Sequence, residues 1–184
     1  MSYIKDTTNP KGCKVLLTNV RFNWTNGLFH AHSRFDDQKP KFGVTLLVDK
    51  NDAETMKVLK EADAMARQKC TAATGKKMTA LSPTVIYDGA VKFPDDPELE
   101  NCMVIRASAK SAPDVFIRID PKTKVEAFDE SEIKSGDYGQ ALADVIFYDK
   151  GVPGITVQLL AVCKDKDGEP LGTVMPKVSA DDFD

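Results

Sequence analysis

One segment with a helical period, set among segments that alternate like strands, is the feature that most constrains how this chain folds. Its apolar residues recur at three- and four-residue spacing: Met56, Leu59, Ala62, Ala66 and Cys70. That spacing places them on one face of an amphipathic helix over about residues 52–72. Asn51 and Glu54, which lie three residues apart, have the arrangement of a capping box at the start of this helix.

Most of the remaining chain alternates apolar and polar residues, as strands do. Strand-like runs cover residues 15–17, 20–24, 28–35, 41–48, 102–110, 115–119, 138–148 and 155–163. An Asn-Gly turn at residues 25–27 is predicted to join the second run to the third. Residues 1–12 are predicted to form a loose arm, and the Pro- and Asp-rich stretch from Ser82 to Pro97 a loop.

These patterns predict a mainly β fold with one principal helix. Several strands around a single helix fit an OB-fold-type β-barrel with extra loops and hairpins, into which the helix is inserted. We expect a single domain over residues 1–177, because 184 residues are enough to bury a core without disulfides or a structural metal. Residues 178–184 are expected to form a flexible acidic tail.

The charge of the chain is segregated along its length. Residues 1–77 carry 14 Lys and Arg against 8 Asp and Glu, and residues 78–177 carry 11 against 17. The last seven residues add three acids and no base, so the whole net charge of −3 resides in the tail. A basic N-terminal half can attract phosphates although the total charge is negative.

Several classes of protein are not expected. The longest uninterrupted apolar run, Leu159 to Cys163, is far shorter than the ~20 residues of a membrane helix. The N-terminus has no apolar signal-peptide core, and the four cysteines are widely spaced. We therefore expect a cytoplasmic protein with reduced thiols and no contact with a membrane.

Enzymatic signals are weak in this sequence. It contains no phosphate-binding loop, dinucleotide-binding motif or nucleophile elbow. His30 and His32 share a strand face, but no third ligand type lies close enough in sequence to suggest a metal site. We predict a protein that is not an enzyme and that holds no metal or cofactor.

Aromatic and basic residues are interleaved between Arg21 and Phe42. Five of the fourteen aromatic residues lie there: Phe22, Trp24, Phe29, Phe35 and Phe42. The cations among them are Arg21, Arg34, Lys39 and Lys41. Exposed rings beside cations suit stacking on unpaired bases and tracking of a phosphate backbone. Phe22 and Phe42 alternate with aliphatic residues and fit the core better, whereas Trp24 and Phe29 fit either place.

A second candidate surface follows in the C-terminal half. Arg106 and Lys110 alternate with apolar residues, so one face of their strand is basic. Phe116 and Arg118 share a face in the next strand, which makes Phe116 a candidate base platform unless a loop covers it.

The end of the chain combines acids with an aromatic ring. Asp181, Asp182 and Phe183 suit docking into a basic, apolar pocket of a partner protein. A tail of this kind can also compete with DNA for the basic surface of its own chain, or serve only as a solubilising end.

Short motifs in a fixed order resemble the bacteriophage single-stranded DNA-binding proteins, a family long catalogued as a phage domain of unknown function. The matching pieces span nearly the whole chain: Val20-Arg21-Phe22, residues 39–48, Asp88-Gly89, residues 95–98, residues 105–110, residues 135–139, residues 167–172 and Ala180-Asp181-Asp182-Phe183. One departure is Ala112, which stands before Pro113 where the family often has Arg. The resemblance implies an OB-fold that binds single-stranded DNA without sequence preference in phage replication or recombination, with no catalysis.

Two hypotheses follow. The first is a non-catalytic module that binds single-stranded DNA in the cytoplasm of an infected bacterium and can self-associate on it. The second is a protein-interaction or recombination-mediator module, whose tail recruits replication or recombination proteins. The predicted DNA-binding residues are Arg21, Trp24, Phe29, Arg34, Lys39, Lys41, Arg106, Lys110, Phe116 and Arg118, and the predicted partner-binding residues are Asp181, Asp182 and Phe183.

Overall fold

The computed structural model describes residues 1–33 and 38–171. These residues form nine strands: β1 (Tyr3–Asp6), β2 (Gly12–Asn23), β3 (Phe42–Asp49), β4 (Ile86–Asp88), β5 (Cys102–Ala109), β6 (Asp114–Asp120), β7 (Thr123–Glu126), β8 (Tyr138–Lys150) and β9 (Val152–Lys166). Helix α1 spans Ala53–Thr74 and the one-turn α2 spans Gly89–Lys92. Single 3₁₀ turns occupy Thr25–Leu28, Pro97–Leu99 and Glu130–Glu132. Across this part of the chain no helix is both long and apolar enough to cross a membrane.

Five strands pair in a ring. The order β5-β3-β2-β8-β9 is antiparallel throughout, and β9 returns to β5 through a short parallel pairing of two residues each. The four remaining strands attach outside the ring, with β1 on β2, β4 on β5, and the β6–β7 hairpin on β9. The prediction of a mainly β fold with one principal helix is confirmed, and a five-stranded, partly open ring is the arrangement of an OB-fold.

The core lies inside the ring and under α1. Alternate residues of the strands point inward, and Phe22, Leu46 and Ile105 are fully buried there. The predicted apolar face of the helix packs against them, with Leu59, Ala62, Ala66 and Cys70 buried. The helix begins and ends within two residues of the predicted bounds. Its cap is Asp52, which accepts a hydrogen bond from Thr55 N–H at 3.1 Å, so the prediction of Asn51 as the cap was wrong.

Three local predictions were also wrong. Residues 28–33 do not return as a strand, because Leu28 is buried in the core at the end of a 3₁₀ turn and β2 pairs with β3 instead. The N-terminal arm is not loose, since β1 pairs with β2 and the buried Ser2 hydroxyl lies 2.7 Å from that of Thr55. The stretch from Ser82 to Pro97 is not a plain loop, because it contains β4 and α2.

Candidate nucleic-acid interface

The outer face of the β3–β5 pair is the central surface of the candidate site. Because Leu46 and Ile105 point into the core, their neighbours Thr45 and Arg106 point outward, opposite each other in the register. Arg106 is exposed. This surface, made by the outward residues of Phe42–Asp49 and Cys102–Ala109, is called here the β3–β5 outer face.

Two half-buried aromatic rings lie against Arg106. Its guanidinium carbon lies 5.3 Å from the ring centroid of Tyr87 and 5.7 Å from that of Phe93. The two rings meet edge to face with their centroids 6.5 Å apart, and Lys92 Nζ lies 5.1 Å from the Tyr87 ring. Distances below ~6 Å allow cation–π attraction, so the four side chains hold one another in place. Tyr87, Lys92, Phe93 and Arg106 are called the Tyr87 cluster.

Local structure fixes the two rings. β4 pairs with β5 and so places Tyr87 beside Arg106. Asp88 then caps α2 by accepting a hydrogen bond from Ala90 N–H at 3.0 Å. Asp88 also accepts a hydrogen bond from Lys50 Nζ at 2.6 Å, and this bond holds the pKa of its carboxyl below the ordinary value. Gly89 is required at the turn, because a Cβ there would lie 1.9 Å from the Leu99 carbonyl oxygen.

A groove with a basic rim adjoins one end of the β3–β5 outer face. It has a volume of about 690 Å³, and its rim carries the exposed lysines Lys11, Lys41, Lys110 and Lys150. Lys41 and Lys110 directly adjoin the paired residues at the end of β3 and β5, and the other two come from the turn before β2 and from the β8–β9 hairpin. Within residues 1–33 and 38–171, none of these four lysines has a carboxylate within ion-pair distance. The groove bounded by these four lysines is called here the lysine groove.

Trp24 lies at the other edge of this surface. Arg106 pairs with Thr45, and Thr45 pairs with Asn23 of β2. Trp24 is the next residue after Asn23, at the β2 side of the β3–β5 outer face. Its backbone is left-handed at φ 57° and its N–H donates to Ser135 Oγ at 3.0 Å, so the strand ends and the ring turns away from the core. The ring is 68% exposed. Phe29 in the following segment is only half-exposed and packs on the core, whereas Lys39 is exposed.

Arg21 has two backbone partners. It donates to the carbonyl oxygens of Gly136, at 3.0 Å, and of Glu169, and its guanidinium lies over the Tyr138 ring. These bonds tie residues 168–171 across the outer side of β2 and β3, where Leu171 packs with Leu47. These bonds give Arg21 a structural role, because they hold the segment that follows β9.

The two predicted residues of β6 lie beyond the end of β5, because β6 pairs further along the same edge of β9, at residues 161–164, whereas β5 pairs with Val157 and Gln158. Phe116 is half-buried, and Arg118 donates to Asp165 Oδ1 at 2.7 Å. That hydrogen bond raises the pKa of Arg118 above its ordinary value, so its charge is already compensated. The structure therefore places Trp24, Lys41, Arg106 and Lys110 on or beside the β3–β5 outer face, and Phe116 and Arg118 on the neighbouring β6–β7 hairpin. Arg34 and the tail residues Asp181, Asp182 and Phe183 lie outside the described residues.

Sequence reasoning predicted Trp24 but missed the other two rings of the site. Tyr87 and Phe93 lie in the segment interpreted as a loop, where no period pointed to them. The available signal was the sequence Lys92-Phe93-Pro94 close after Tyr87, which places two rings and a cation within seven residues. Lys11 and Lys150 were missed because they come from distant turns.

The chain matches one family model and several solved structures. Residues 13–184 match the family described as Enterobacter phage Enc34, ssDNA-binding protein. The single-stranded DNA-binding protein from bacteriophage Enc34, solved in complex with ssDNA, is 27% identical with a TM-score of 0.75, over 92% of this chain and 98% of that chain. A C-terminal truncation of the same protein is 25% identical with a TM-score of 0.71, over 93% and 98%.

A more distant structure shares the fold alone. It is gp2.5, a single-stranded DNA-binding protein encoded by bacteriophage T7, at 12% identity and a TM-score of 0.54, over 92% of this chain and 91% of that chain. A comparison with curated proteins gives no match. Because the family model covers nearly all of the sequence, this chain belongs to the Enterobacter phage Enc34 ssDNA-binding protein family, as its motifs predicted.

Proposed function

We propose that the protein binds single-stranded DNA without sequence preference and without catalysis, in phage DNA replication or recombination. The strand is held on the β3–β5 outer face, between the lysine groove and the Tyr87 cluster, with Trp24 at the edge. The observation that carries this proposal is the exposed Arg106, which lies against the rings of Tyr87 and Phe93 on that face. Rings next to a cation offer both a stacking surface for a base and a charge for its phosphate.

The position of the cluster in the fold supports this reading. OB-folds bind oligonucleotides on the face of their second and third strands, which are β3 and β5 in this ring. Lys41 and Lys110 lie four residues from Thr45 and Arg106 on the same face, a distance of about 13 Å along a strand. Cations and rings therefore follow one path along the pair, as an unpaired strand requires.

The composition of the path supports binding without base readout. In residues 1–33 and 38–171 the one long helix, α1, packs mainly against β2 and β8 and not along the β3–β5 outer face, so it is not placed to read a duplex groove beside this path. Every base offers a ring face, so stacking on Tyr87 and Phe93 tolerates any sequence. The family match and the 27% identical relative solved with ssDNA give independent support.

The test is binding of a labelled oligo-dT, measured by fluorescence anisotropy beside a mixed-sequence strand and a duplex. We expect similar affinity for the two single strands, weaker binding of the duplex, and a log–log salt slope of about −0.7 per phosphate contact neutralised. The DNA is expected to be recovered intact.

Variants locate the site. Tyr87→Ala is expected to lose about 1–3 kcal/mol of binding free energy, and Tyr87→Phe, which keeps the ring, much less. Tyr3→Ala is the matched control, because Tyr3 is an exposed ring on β1, which does not contact β3 or β5 in the sheet. Circular dichroism verifies that each variant is folded.

Three results contradict the proposal. They are tighter binding to duplex, binding that does not change with salt, and equal affinity of the Tyr87→Ala and Tyr3→Ala variants. Absence of oligo-dT binding together with tail-dependent capture of a replication protein supports the protein-interaction module instead.

A further inference from the structure

We propose that the protein associates head to tail with further copies of itself, through Phe128 of one copy and the lysine groove of the next. This inference rests on the proposed function, because single-stranded DNA is the template that lines up the copies. Phe128 and the exposed carboxylates beside it, Glu126, Asp129 and Glu130, are called here the acidic knob.

Phe128 is presented on a fixed turn. Its side chain is 89% exposed, yet its N–H donates to Glu132 Oε2 at 2.7 Å and the N–H of Asp129 donates to the same oxygen at 3.0 Å. Asp129 accepts in return from Ser131 N–H at 3.1 Å, which completes a capping box. Ala127 just before it packs against the core. A large apolar ring held outward by this many bonds marks a contact surface rather than a frayed loop.

The negative charge of the acidic knob determines which kind of surface it can bind. Glu126 and Asp129, on the two sides of the ring, repel phosphates, whereas Glu130 Oε2 lies 2.7 Å from His30 Nε2; Phe128 is therefore poorly suited to stacking on DNA. The same carboxylates favour a partner pocket that is apolar inside and rimmed with cations.

The lysine groove of another copy has this chemistry. Its volume of about 690 Å³ is ample for a phenyl ring, and Pro113, Phe147 and Leu160 contribute apolar lining. Lys11 and Lys150 reach its rim from outside the β3–β5 pair, so they can meet the knob while Lys41 and Lys110 face the DNA path.

Knob and groove share no residues, so each copy can give one contact and receive another. Such a heterologous contact generates an open chain instead of a closed dimer. A chain of this kind matches an extended DNA strand, and binding of one copy then favours binding of the next.

The experiment compares per-site affinity on a dT oligomer of about 10 nucleotides, within the ~4–16 nucleotides that one OB-fold covers, with affinity on one of about 70. For the unmodified protein we expect at least about tenfold tighter binding per site on the long strand, given that burial of one Phe side chain supplies roughly that factor. Phe128→Ala is expected to remove the difference and leave the short-strand affinity unchanged. Tyr3 is an exposed ring far from the knob in sequence, and Tyr3→Ala is expected to keep the difference in per-site affinity between the two strands.

Mixing tests the head-to-tail geometry. Phe128→Ala keeps its groove, and the double variant Lys11→Glu, Lys150→Glu keeps its knob. Neither variant alone is expected to bind more tightly per site on the long strand than on the short one. In an equal mixture on a strand long enough for two copies, the knob of the double variant can contact the groove of Phe128→Ala, so the tighter binding is expected to return. The inference is overturned if Phe128→Ala has the same ratio of long-strand to short-strand affinity as the unmodified protein, or if the unmodified protein binds both strands with equal per-site affinity. It is also overturned if the mixture of variants binds the long strand no more tightly than either variant alone. Absence of binding to the short strand overturns the proposed function, and this inference with it.

Discussion

Removing the carboxylate of Asp137 is expected to destabilise the fold strongly, because this side chain is fully buried and joins three donors. It accepts hydrogen bonds from Lys134 N–H at 2.8 Å and from Gly168 N–H at 3.2 Å. Lys164 Nζ lies 3.0 Å from it, on a side chain that is only 12% exposed. The network therefore connects the start of β8, the end of β9 and the segment that leaves toward the tail.

The magnitude follows from what Asp137→Ala leaves behind. Breaking a buried ion pair by removal of one partner costs about 3–5 kcal/mol. The low end applies here, because Lys164 keeps Asp167 at 2.6 Å and the Glu132 carbonyl at 3.1 Å. We therefore expect a loss of about 3 kcal/mol in the free energy of unfolding. Asp137→Asn keeps one acceptor oxygen, so only one of the two backbone donors, Lys134 N–H on Oδ2 or Gly168 N–H on Oδ1, retains its partner, and we expect a loss only slightly smaller than that of Asp137→Ala.

Urea denaturation followed by circular dichroism measures the loss. With a slope of about 1–3 kcal/mol per molar urea, the midpoint should fall by roughly 1–3 M for Asp137→Ala. The control is Asp149→Ala, which breaks the more exposed pair with Lys76 and should cost about 0–1 kcal/mol. If Asp137→Ala costs no more than this control, the buried network does not stabilise the fold and the reasoning is refuted.

Four further predictions concern binding and pH. Trp24→Ala should weaken binding of oligo-dT by about 1–3 kcal/mol in an anisotropy titration while the unfolding free energy falls little; an unchanged affinity excludes the ring from the site. Arg118→Ala should leave the affinity unchanged in the same titration, because Asp165 already neutralises that guanidinium, and a clear loss would place β6 in the site. Deletion of residues 179–184 should leave folding intact and leave the affinity unchanged or raise it, most at low salt, where competition by the acidic tail is least screened; a large loss at every salt concentration contradicts this expectation. Burial lowers the pKa of Lys164, but its hydrogen bonds to two carboxylates outweigh burial and raise the pKa above the ordinary value. The stability these bonds contribute should therefore be present at neutral pH and disappear as pH rises through the raised pKa, so unfolding followed from pH 9 to about 12 should show a smaller loss for Lys164→Met than for the unmodified protein.

Local periodicity was sufficient for the elements that have one buried face. The helix and the strands β3, β5, β8 and β9 were predicted within a few residues, because their inward positions recur at the period of the backbone. The same alternation correctly pointed Arg106 outward, since Ile105 had to face the core.

Pairing between distant segments was beyond such reasoning. The hairpin predicted after Trp24 failed because Asn-Gly also fits a 3₁₀ turn, and only the core position of Leu28 decides between them. The Tyr87 cluster escaped for a related reason. Tyr87 meets Arg106 only through the pairing of β4 with β5, and Phe93 joins them only through the one-turn helix between.

The left-handed backbone of Trp24 lowers the stability of the fold but places the ring at the proposed DNA-binding surface. A non-glycine residue with φ near 57° is strained by about 1–2 kcal/mol, and Trp is not among the residues that reduce this cost. Glycine or asparagine would relieve the strain, so selection for stability alone disfavours the tryptophan at this turn. Yet this conformation is what ends β2 and leaves the largest ring of the chain 68% exposed beside the β3–β5 outer face. If this protein were selected only for thermal stability, we would expect Trp24 to be replaced by glycine or asparagine.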